Sequence, residues 1–311
     1  MAAMPEDTLN SAPPLPAWRQ EYPFESHFFE LSPGRRLHYL DEGEGQPLVM
    51  LHGNPTWSFH YRRLVKLFRG QGRRCLVPDH LGCGLSDKPQ DYPYRLQNHI
   101  DNLTGWLKQL DLATPFDLLV HDWGGAIGMG YAVRFPQKIR RIAILNSAAF
   151  LSDQCPWRIR VCRPRPLGSL LIRLGNGFAR GALRMALHAP ARLTPEVRQG
   201  YLAPYDSYRN RIATLRFVQD IPLSPTHPTW GTIEAIEDNL KRLAEKPIFL
   251  GWGMRDFCFT PHFLGRWLEF FPKAEVHRFE PAGHYVLEEA FAELAPLLGR
   301  FFCVPNGFLE T

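Results

Sequence analysis

An aspartate stands in the sequence where a predicted strand turns into a predicted helix. In LLVHDWGGAIGMG (residues 118–130) an apolar run ends at Asp122, and Gly124 and Gly125 begin a run of small residues. A turn of this type exposes the side chain at its tip beside the positive end of the helix dipole. An ionised carboxylate there can displace a leaving group from a saturated carbon without a base, and it then becomes an ester. The alternative is a buried aspartate that caps its own helix.

Three other loops carry polar residues and adjoin predicted strands. They are HGNPTW with Asn54, GWGMRDFCF with Asp256 and EPAGHYVLEE with His284. The glycine of the first loop allows a tight turn, so that the backbone N–H of Asn54 can point at a developing oxyanion. A lone histidine or aspartate is more often structural. The order aspartate, acid, histidine along the chain nevertheless predicts a catalytic triad with a carboxylate nucleophile.

Short apolar runs alternate with longer helical patterns from Phe24 onward, and these runs supply the strands that must position the loops. Several runs are continuous, which is typical of parallel strands covered on both faces. The helical patterns include residues 94–110 and 126–135. This order predicts an α/β fold class with a mostly parallel sheet flanked by helices. The runs are RLHYLDEG, PLVMLHG, RRCLVPDHLG, FDLLVHD, IRRIAILNS, KPIFLGWG and AEVHRFEPAGH.

The alternation breaks after residue 150 and returns near residue 231. In LGSLLIRLGNGFARGALRMALHA the apolar residues recur near helical spacing, and glycines are expected to split the helix. We therefore predict a helical cap over residues 151–230, lying on the carboxyl ends of the strands of a core formed by 24–150 and 231–305. Residues 1–23, which include the proline-rich SAPPLPAWRQ, are predicted to form an extended N-terminal arm.

The predicted cap is strongly basic. Residues 151–230 contain 12 Arg, no Lys and 4 Asp or Glu, a net charge of +8, whereas the rest of the chain carries −3. A basic apolar cap could bind a strongly apolar substrate, or it could contact a partner enzyme, a membrane surface or a second copy of the chain in a homo-oligomer. The plainer alternative is a solvated helix with arginines on its outer side. No basic groove interleaved with aromatic residues is present, so nucleic acid is not an expected partner.

Taken together, HGNPTW, HDWGG, GWGMRD and AGHY resemble the α/β-hydrolase superfamily and, within it, the haloalkane dehalogenases. The resemblance extends from about residue 24 to residue 302 and implies the α/β-hydrolase fold with a helical cap. It implies a nucleophile at Asp122, a base at His284, an acid at Asp256, and halide binding by Asn54 and Trp123. The backbone N–H groups of the last two residues would also form the oxyanion hole.

Hydrolytic dehalogenation of a haloalkane is the function that this resemblance implies. Asp122 would form an alkyl ester as the halide leaves, and water activated by His284 would then hydrolyse the ester to an alcohol. One dehalogenase branch takes its acid from a glutamate after the strand that follows the turn at Asp122. That strand ends here in LNSAAF, with Asn146 and no carboxylate before Asp153, so the acid is expected to be Asp256.

Other functions share parts of this pattern. The β-lactone decarboxylases of bacterial olefin biosynthesis resemble the dehalogenase branch whose acid lies late in the chain, at the position of Asp256 here. Their reaction forms a long-chain alkene and carbon dioxide. An epoxide hydrolase is a weaker alternative, which would use cap tyrosines such as Tyr201, Tyr205 and Tyr208, but it gives Asn54 no role. A non-catalytic binding protein of this fold would typically lack a triad residue, and none is lacking.

Composition restricts cofactors and location. The apolar fraction of 45% and the charged fraction of 22% are those of a globular protein. Six scattered cysteines form no C-x-x-C pair, so neither a metal site nor a disulfide framework is expected, and no cofactor is implied. No apolar run approaches the roughly 20 residues of a membrane span, and the start lacks signal-peptide features, which predicts a cytoplasmic protein.

Overall fold

The computed structural model of the chain describes residues 15–32, 34–164, 166–190 and 193–303. A single twisted sheet forms the centre of the molecule. Its strands are β1 (His27–Ser32), β2 (Arg35–Glu42), β3 (Gln46–Leu51), β4 (Arg73–Pro78), β5 (Phe116–Asp122), β6 (Ile139–Ser147), β7 (Ile248–Gly253) and β8 (Glu275–Phe279). They lie in the order β1-β2-β4-β3-β5-β6-β7-β8.

The sheet is parallel from β4 to β8, and an antiparallel hairpin of β1 and β2 extends it at the β4 edge. Every residue of β5 and β7 is buried, because helices cover both faces of the sheet. The predicted α/β fold class is confirmed, and the seven predicted runs coincide with β2 to β8. The first strand was not predicted, because only one of its six residues is buried and its sequence shows no apolar alternation.

Helices flank the sheet on both faces. They are α1 (Trp18–Glu21), α2 (Arg62–Phe68), α3 (Leu96–Leu110), α4 (Trp123–Ala132), α5 (Trp157–Val161), α6 (Gly177–Met185), α7 (Pro195–Leu202), α8 (Ile212–Gln219), α9 (Trp230–Asn239), α10 (Pro261–Phe270), α11 (Val286–Glu289) and α12 (Phe291–Cys303). Short 3-10 turns add Ser58–Tyr61, Pro136–Lys138, Ala203–Tyr205, Arg209–Arg211 and Leu240–Leu243, and Ser169–Arg173 forms a π-helical turn.

Between β6 and β7 the described residues form helices and turns without a strand. The glycine-rich sequence of the insertion breaks its helix as predicted, since Gly175 and Asn176 both have positive φ angles between the π-helical turn and α6. Ile172, Leu215 and Val218 form a small buried cluster in this segment, separate from the two large clusters beside the sheet. The insertion therefore has apolar packing of its own.

The N-terminal arm differs from the predicted extended form where it is described. Residues 1–14 lie outside the described part of the chain. Residues 18–21 form α1, and Trp18 is buried with its ring 5.8 Å from that of Trp57 in an edge-on contact. Tyr22 is also buried, and its hydroxyl lies 2.6 Å from the Ser58 hydroxyl. Aromatic burial against the core outweighs the solvation that an extended arm would keep.

The helices in the described ranges include none with the length and apolar character that a membrane crossing requires.

Candidate active site

Asp122 lies at the sharp junction of β5 and α4, with a φ angle of +52°. A non-glycine residue in this region of backbone space is strained and persists only where the surroundings hold it. The neighbouring backbone approaches closely, because a Cβ added to Gly53 would overlap the Asp122 carboxylate. A Cβ on Gly124 would likewise overlap the carbonyl of Leu51. The glycines are therefore required by close packing around the carboxylate.

The structure brings Asp122, His284 and Asp256 together from three separate loops. His284 Nε2 lies 3.6 Å from Asp122 Oδ2, and His284 Nδ1 lies 2.7 Å from Asp256 Oδ2. All three side chains are buried. The imidazole thus joins the two carboxylates, with one ring nitrogen directed at each. This is the geometry in which one carboxylate orients the ring and the ring faces the other.

Burial and charge shift the ionisation of this group. Burial raises the pKa of Asp122 from its ordinary value of 3.8, although His284 and the backbone N–H groups of Asn54 and Trp123 oppose that rise. Burial alone would lower the pKa of His284, but the carboxylates of Asp256 and Asp122 outweigh it and raise that pKa above 6.5. The imidazole is consequently charged over a wider pH range than a free histidine.

Asn146 holds Asp256 in place, a contact that no sequence pattern indicated. Its side-chain Nδ2 donates to Asp256 Oδ2 at 3.0 Å, and its Oδ1 accepts from Gly253 N at 2.7 Å. The Cys258 backbone N–H donates to the other carboxylate oxygen at 2.7 Å. In the sequence, Asn146 marks only the place where a carboxylate is lacking. Its positive φ angle of 33° aims the amide at the loop after β7.

Asn54 and Trp123 flank the Asp122 carboxylate. The Asn54 backbone N–H donates to Asp122 Oδ1 at 2.6 Å, while Oδ2 faces His284. The Asn54 side chain donates one Nδ2 hydrogen to the Thr214 carbonyl at 3.2 Å, which leaves its second hydrogen available. The indole of Trp123 lines the same cavity and packs against Phe217 with ring centroids 5.3 Å apart. Two side chains that carry N–H donors therefore line the cavity together with Asp122.

A cavity of about 410 Å³ opens above these residues. This volume is within the range of small-molecule sites. Apolar side chains dominate the lining, and the core and the insertion both supply them. Phe150, Phe259 and Ile233 come from the core, and Leu171, Phe178 and Met185 come from the insertion. The chemistry that such a site supports is displacement at a carbon of an apolar substrate.

Three cysteines also line the cavity, which their scattered positions in the sequence did not indicate: Cys155, Cys162 and Cys258. Burial raises the pKa of each thiol, so the thiols stay protonated at neutral pH and pack as small apolar groups. Within the described chain no cluster of three or more His, Cys, Asp or Glu side chains is arranged to hold a metal ion.

The tyrosines considered for an epoxide hydrolase lie elsewhere. The Tyr201 hydroxyl donates to Glu288 Oε1 at 2.5 Å, and the Tyr205 hydroxyl donates to the Thr56 carbonyl at 3.1 Å. Tyr208 is half exposed and stacks with the Arg173 guanidinium. None of these three tyrosines is among the residues that line the cavity. The weaker epoxide alternative therefore lacks its expected proton donors.

Comparison with known proteins places this site in context. A family model described as alpha/beta hydrolase fold matches residues 46–291. The cis-3-alkyl-4-alkyloxetan-2-one decarboxylase of Shewanella oneidensis is 45% identical over 284 residues, which cover 90% of this chain and 88% of that protein. The haloalkane dehalogenase of Mycobacterium marinum is 33% identical over 292 residues, covering 88% of this chain and 92% of that protein.

A solved structure has the same fold. The haloalkane dehalogenase DatA of Agrobacterium tumefaciens superposes with a TM-score of 0.79 and 26% sequence identity, covering 88% of this chain and 94% of that one.

Proposed function

The chain belongs to the alpha/beta hydrolase fold family, and from that premise we propose that it is an enzyme that decarboxylates a cis-3,4-dialkyl β-lactone to an alkene. The observation that carries this choice is the 45% identity, over 90% of the chain, to a protein named for decarboxylation of such a four-membered lactone. The large apolar cavity above Asp122 supports it, because two alkyl chains must be enclosed on either side of the reacting ring.

In the first step, Asp122 acts as nucleophile toward the ring carbon that bears the lactone oxygen. Oδ2 is the attacking atom, because Oδ1 is held by the Asn54 backbone N–H. A C–O bond to Oδ2 forms while the ring C–O bond breaks, and the ring oxygen becomes part of a free carboxylate on the adjacent carbon. The Trp123 indole N–H and the Asn54 side-chain amide are the donors that meet this new anion in an apolar cavity.

In the second step, the new carboxylate leaves as carbon dioxide. The electrons of its C–C bond form the alkene, the bond from carbon to Asp122 Oδ2 breaks, and the aspartate is regenerated. Atoms and electrons balance without water, oxidant or reductant. Charged His284, 3.6 Å from Oδ2 and oriented by Asp256, stabilises the departing aspartate carboxylate. The backbone N–H groups of Asn54 and Trp123 hold that carboxylate in the same position.

Hydrolytic dehalogenation is the second candidate, supported by the 33% identity to a haloalkane dehalogenase and by the fold of a solved dehalogenase at 26% identity. Its first step uses the same attack by Asp122, with a halide leaving toward Asn54 and Trp123. The ester is then hydrolysed by water that His284 deprotonates. The two reactions differ in one respect that can be measured, because only the second needs a base.

Trapping the ester tests the nucleophile assigned here. His284→Phe removes the base and keeps a ring of similar size, so incubation with 1-iodobutane is expected to leave a butyl adduct on Asp122, seen by intact-protein and peptide mass spectrometry. Asp122→Ala is the matched control and should carry no adduct. An adduct of equal yield in Asp122→Ala would overturn the assignment.

The remaining assignments are proposals of the same kind. Residues 151–230 are proposed as the cap on a core formed by 24–150 and 231–305, and the cavity takes a small apolar molecule. Assembly into a homo-oligomer and a cytoplasmic location stay predictions, which light scattering and cell fractionation would test.

A further inference from the structure

A group of apolar and basic side chains is exposed on the outer side of the insertion. Trp157 is 70% exposed, Leu170 56% and Leu174 60%. Arg180 and Arg184 are exposed on α6 and, being four residues apart, lie on one face of that helix. These five residues are called the basic patch below. Exposed large apolar groups beside arginines mark an interaction surface rather than ordinary solvated surface.

The basic patch is outside because the opposite sides of its elements are already packed. Ile159 on α5, Ile172 on the π-helical turn and Phe178 on α6 contact the small cluster that contains Leu215 and Val218 of α8. Each of the three elements thus buries one side against α8. The side chains of the patch have no apolar partner of this kind in the described structure, although Arg158 lies over the Trp157 ring at 5.6 Å.

The charge around the patch has one sign. From residue 154 to residue 195 the sequence has eight Arg and no Lys, Asp or Glu. In the described part of this segment no arginine takes part in an ion pair. The occupant that complements this surface is anionic. A second copy presenting the same patch is disfavoured, because like charges would face each other.

The lining of the cavity extends to the elements that carry this surface. Leu171 and Met185 line the cavity and are also 40% and 49% exposed, and they belong to the π-helical turn and α6 that carry the basic patch. A substrate with long alkyl chains dissolves in a bilayer rather than in water. A cavity whose lining reaches a basic apolar surface is therefore suited to a substrate that resides in that phase.

We propose that the basic patch docks on an anionic phospholipid membrane and that the cavity takes its substrate directly from the bilayer. The docking step stands on the patch alone, whereas uptake from the bilayer rests on the proposed function. The exposed indole and leucines enter the headgroup boundary, and the arginines contact lipid phosphates, as in interfacial amphipathic helices. An acidic protein would satisfy the arginines, but it gives the three exposed large apolar side chains of the patch no comparable role.

Vesicle flotation of the full-length protein without substrate tests docking. Vesicles of phosphatidylcholine with roughly a third phosphatidylglycerol are compared with pure phosphatidylcholine at two salt concentrations, because screening weakens surface charge interactions. Binding to the anionic vesicles is expected, with a loss of about fivefold per arginine removed in Arg180→Gln/Arg184→Gln. Trp157→Ala/Leu174→Ser should also weaken binding. Arg278→Gln/Arg300→Gln removes two exposed core arginines and serves as the matched control, expected to bind as the unmodified protein does.

Two results would overturn the proposal. One is equal flotation of Arg180→Gln/Arg184→Gln and of the control variant. The other is that the unmodified protein does not bind anionic vesicles, while light scattering shows a protein complex that Arg180→Gln/Arg184→Gln loses.

Alkene formation from a short, water-soluble β-lactone is measured in parallel with flotation. Because neither variant changes a residue that lines the cavity, this rate should not change, and its absence in all proteins would reject the proposed function without rejecting the docking.

Discussion

At the scale of single residues, the site is organised around one carboxylate whose two oxygens have different environments. Asp122 Oδ1 accepts from the Asn54 backbone N–H at 2.6 Å, whereas Oδ2 lies 3.6 Å from His284 Nε2 with room for a substrate above it. Close packing of the neighbouring backbone holds the strained conformation of Asp122, so this arrangement exists before substrate enters. One oxygen is therefore anchored and the other is free to react.

Asp256→Ala is expected to nearly abolish hydrolytic turnover after the ester has formed. Without the carboxylate at 2.7 Å, the imidazole loses its orientation and its raised pKa, and steady-state halide release should fall by about 10³-fold or more. A single stoichiometric burst of halide should remain in rapid-quench measurements. Asp153→Ala, at the exposed carboxylate that follows Asn146 in the sequence, is the control and should behave as the unmodified protein. Full steady-state activity of Asp256→Ala would contradict the assignment.

The two candidate reactions are expected to differ in their acid limits. Ester hydrolysis needs neutral His284, whose pKa is raised above 6.5, so steady-state halide release should decline as the pH falls through that raised value. Lactone decarboxylation needs ionised Asp122, whose pKa is raised from 3.8 by burial but belongs to a carboxyl group. Alkene formation should therefore persist to lower pH than halide release in parallel pH profiles of initial rate. Coincident acid limits would show that both reactions depend on the same group, and reversed limits would contradict the roles assigned to His284 and Asp122.

At the scale of helices, a buried ionic contact joins three elements behind the site. Arg62 on α2 donates to both carboxylate oxygens of Glu288 on α11, at 2.5 and 3.0 Å. The Tyr201 hydroxyl on α7 donates to the same carboxylate and lies 2.9 Å from His60 Nδ1. Glu288 follows His284 by four residues, so this contact fixes the insertion and the histidine loop to the core together.

Glu288→Gln is expected to destabilise the protein by about 3–5 kcal/mol, because it leaves the Arg62 guanidinium buried without its counter-charge. Burial would raise the pKa of Glu288, but Arg62 outweighs it and lowers that pKa below 4.5. The stability from this group is thus present above the unfolded-state pKa and is lost as the pH falls through the lower, folded-state pKa. Thermal unfolding at neutral and acid pH measures both effects.

Glu269→Gln, on an exposed i,i+3 pair, is the control and should change stability by less than about 0.5 kcal/mol. An unchanged Tm in Glu288→Gln would refute this role.

The helices also show what the sequence could and could not predict. The turn at Asp122 and the other three site loops were predictable because their glycines and polar residues adjoin continuous apolar strands. The contact of Asn146 with Asp256 was not, since the two residues are 110 positions apart and an asparagine has no distinctive local pattern. The burial of Trp18 was not predictable either. Its aromatic partners Trp57 and Phe59 are distant in sequence, in the loop after β3.

At the scale of the whole molecule, the sheet and the insertion share the two large buried clusters and meet at the cavity, and only the small cluster around Ile172 belongs to the insertion alone. The sheet positions the reacting groups, and the insertion supplies part of the apolar lining together with the +8 charge that its sequence carries. The fold follows from local patterns, since parallel strands and covering helices are encoded by runs of neighbouring residues. The choice of substrate does not, because β-lactone and haloalkane chemistry use the same carboxylate, imidazole and anion donors.

The central claim is that Asp122 opens a β-lactone that then loses carbon dioxide. In the most direct test, the purified protein is incubated in parallel with a cis-β-lactone that has long alkyl chains and with 1-bromohexane or 1-iodobutane. The initial rates of alkene formation and of halide release are measured. We expect alkene to form orders of magnitude faster than halide, and Asp122→Ala to abolish both. Halide release that exceeds alkene formation would contradict the account and would make the protein a haloalkane dehalogenase.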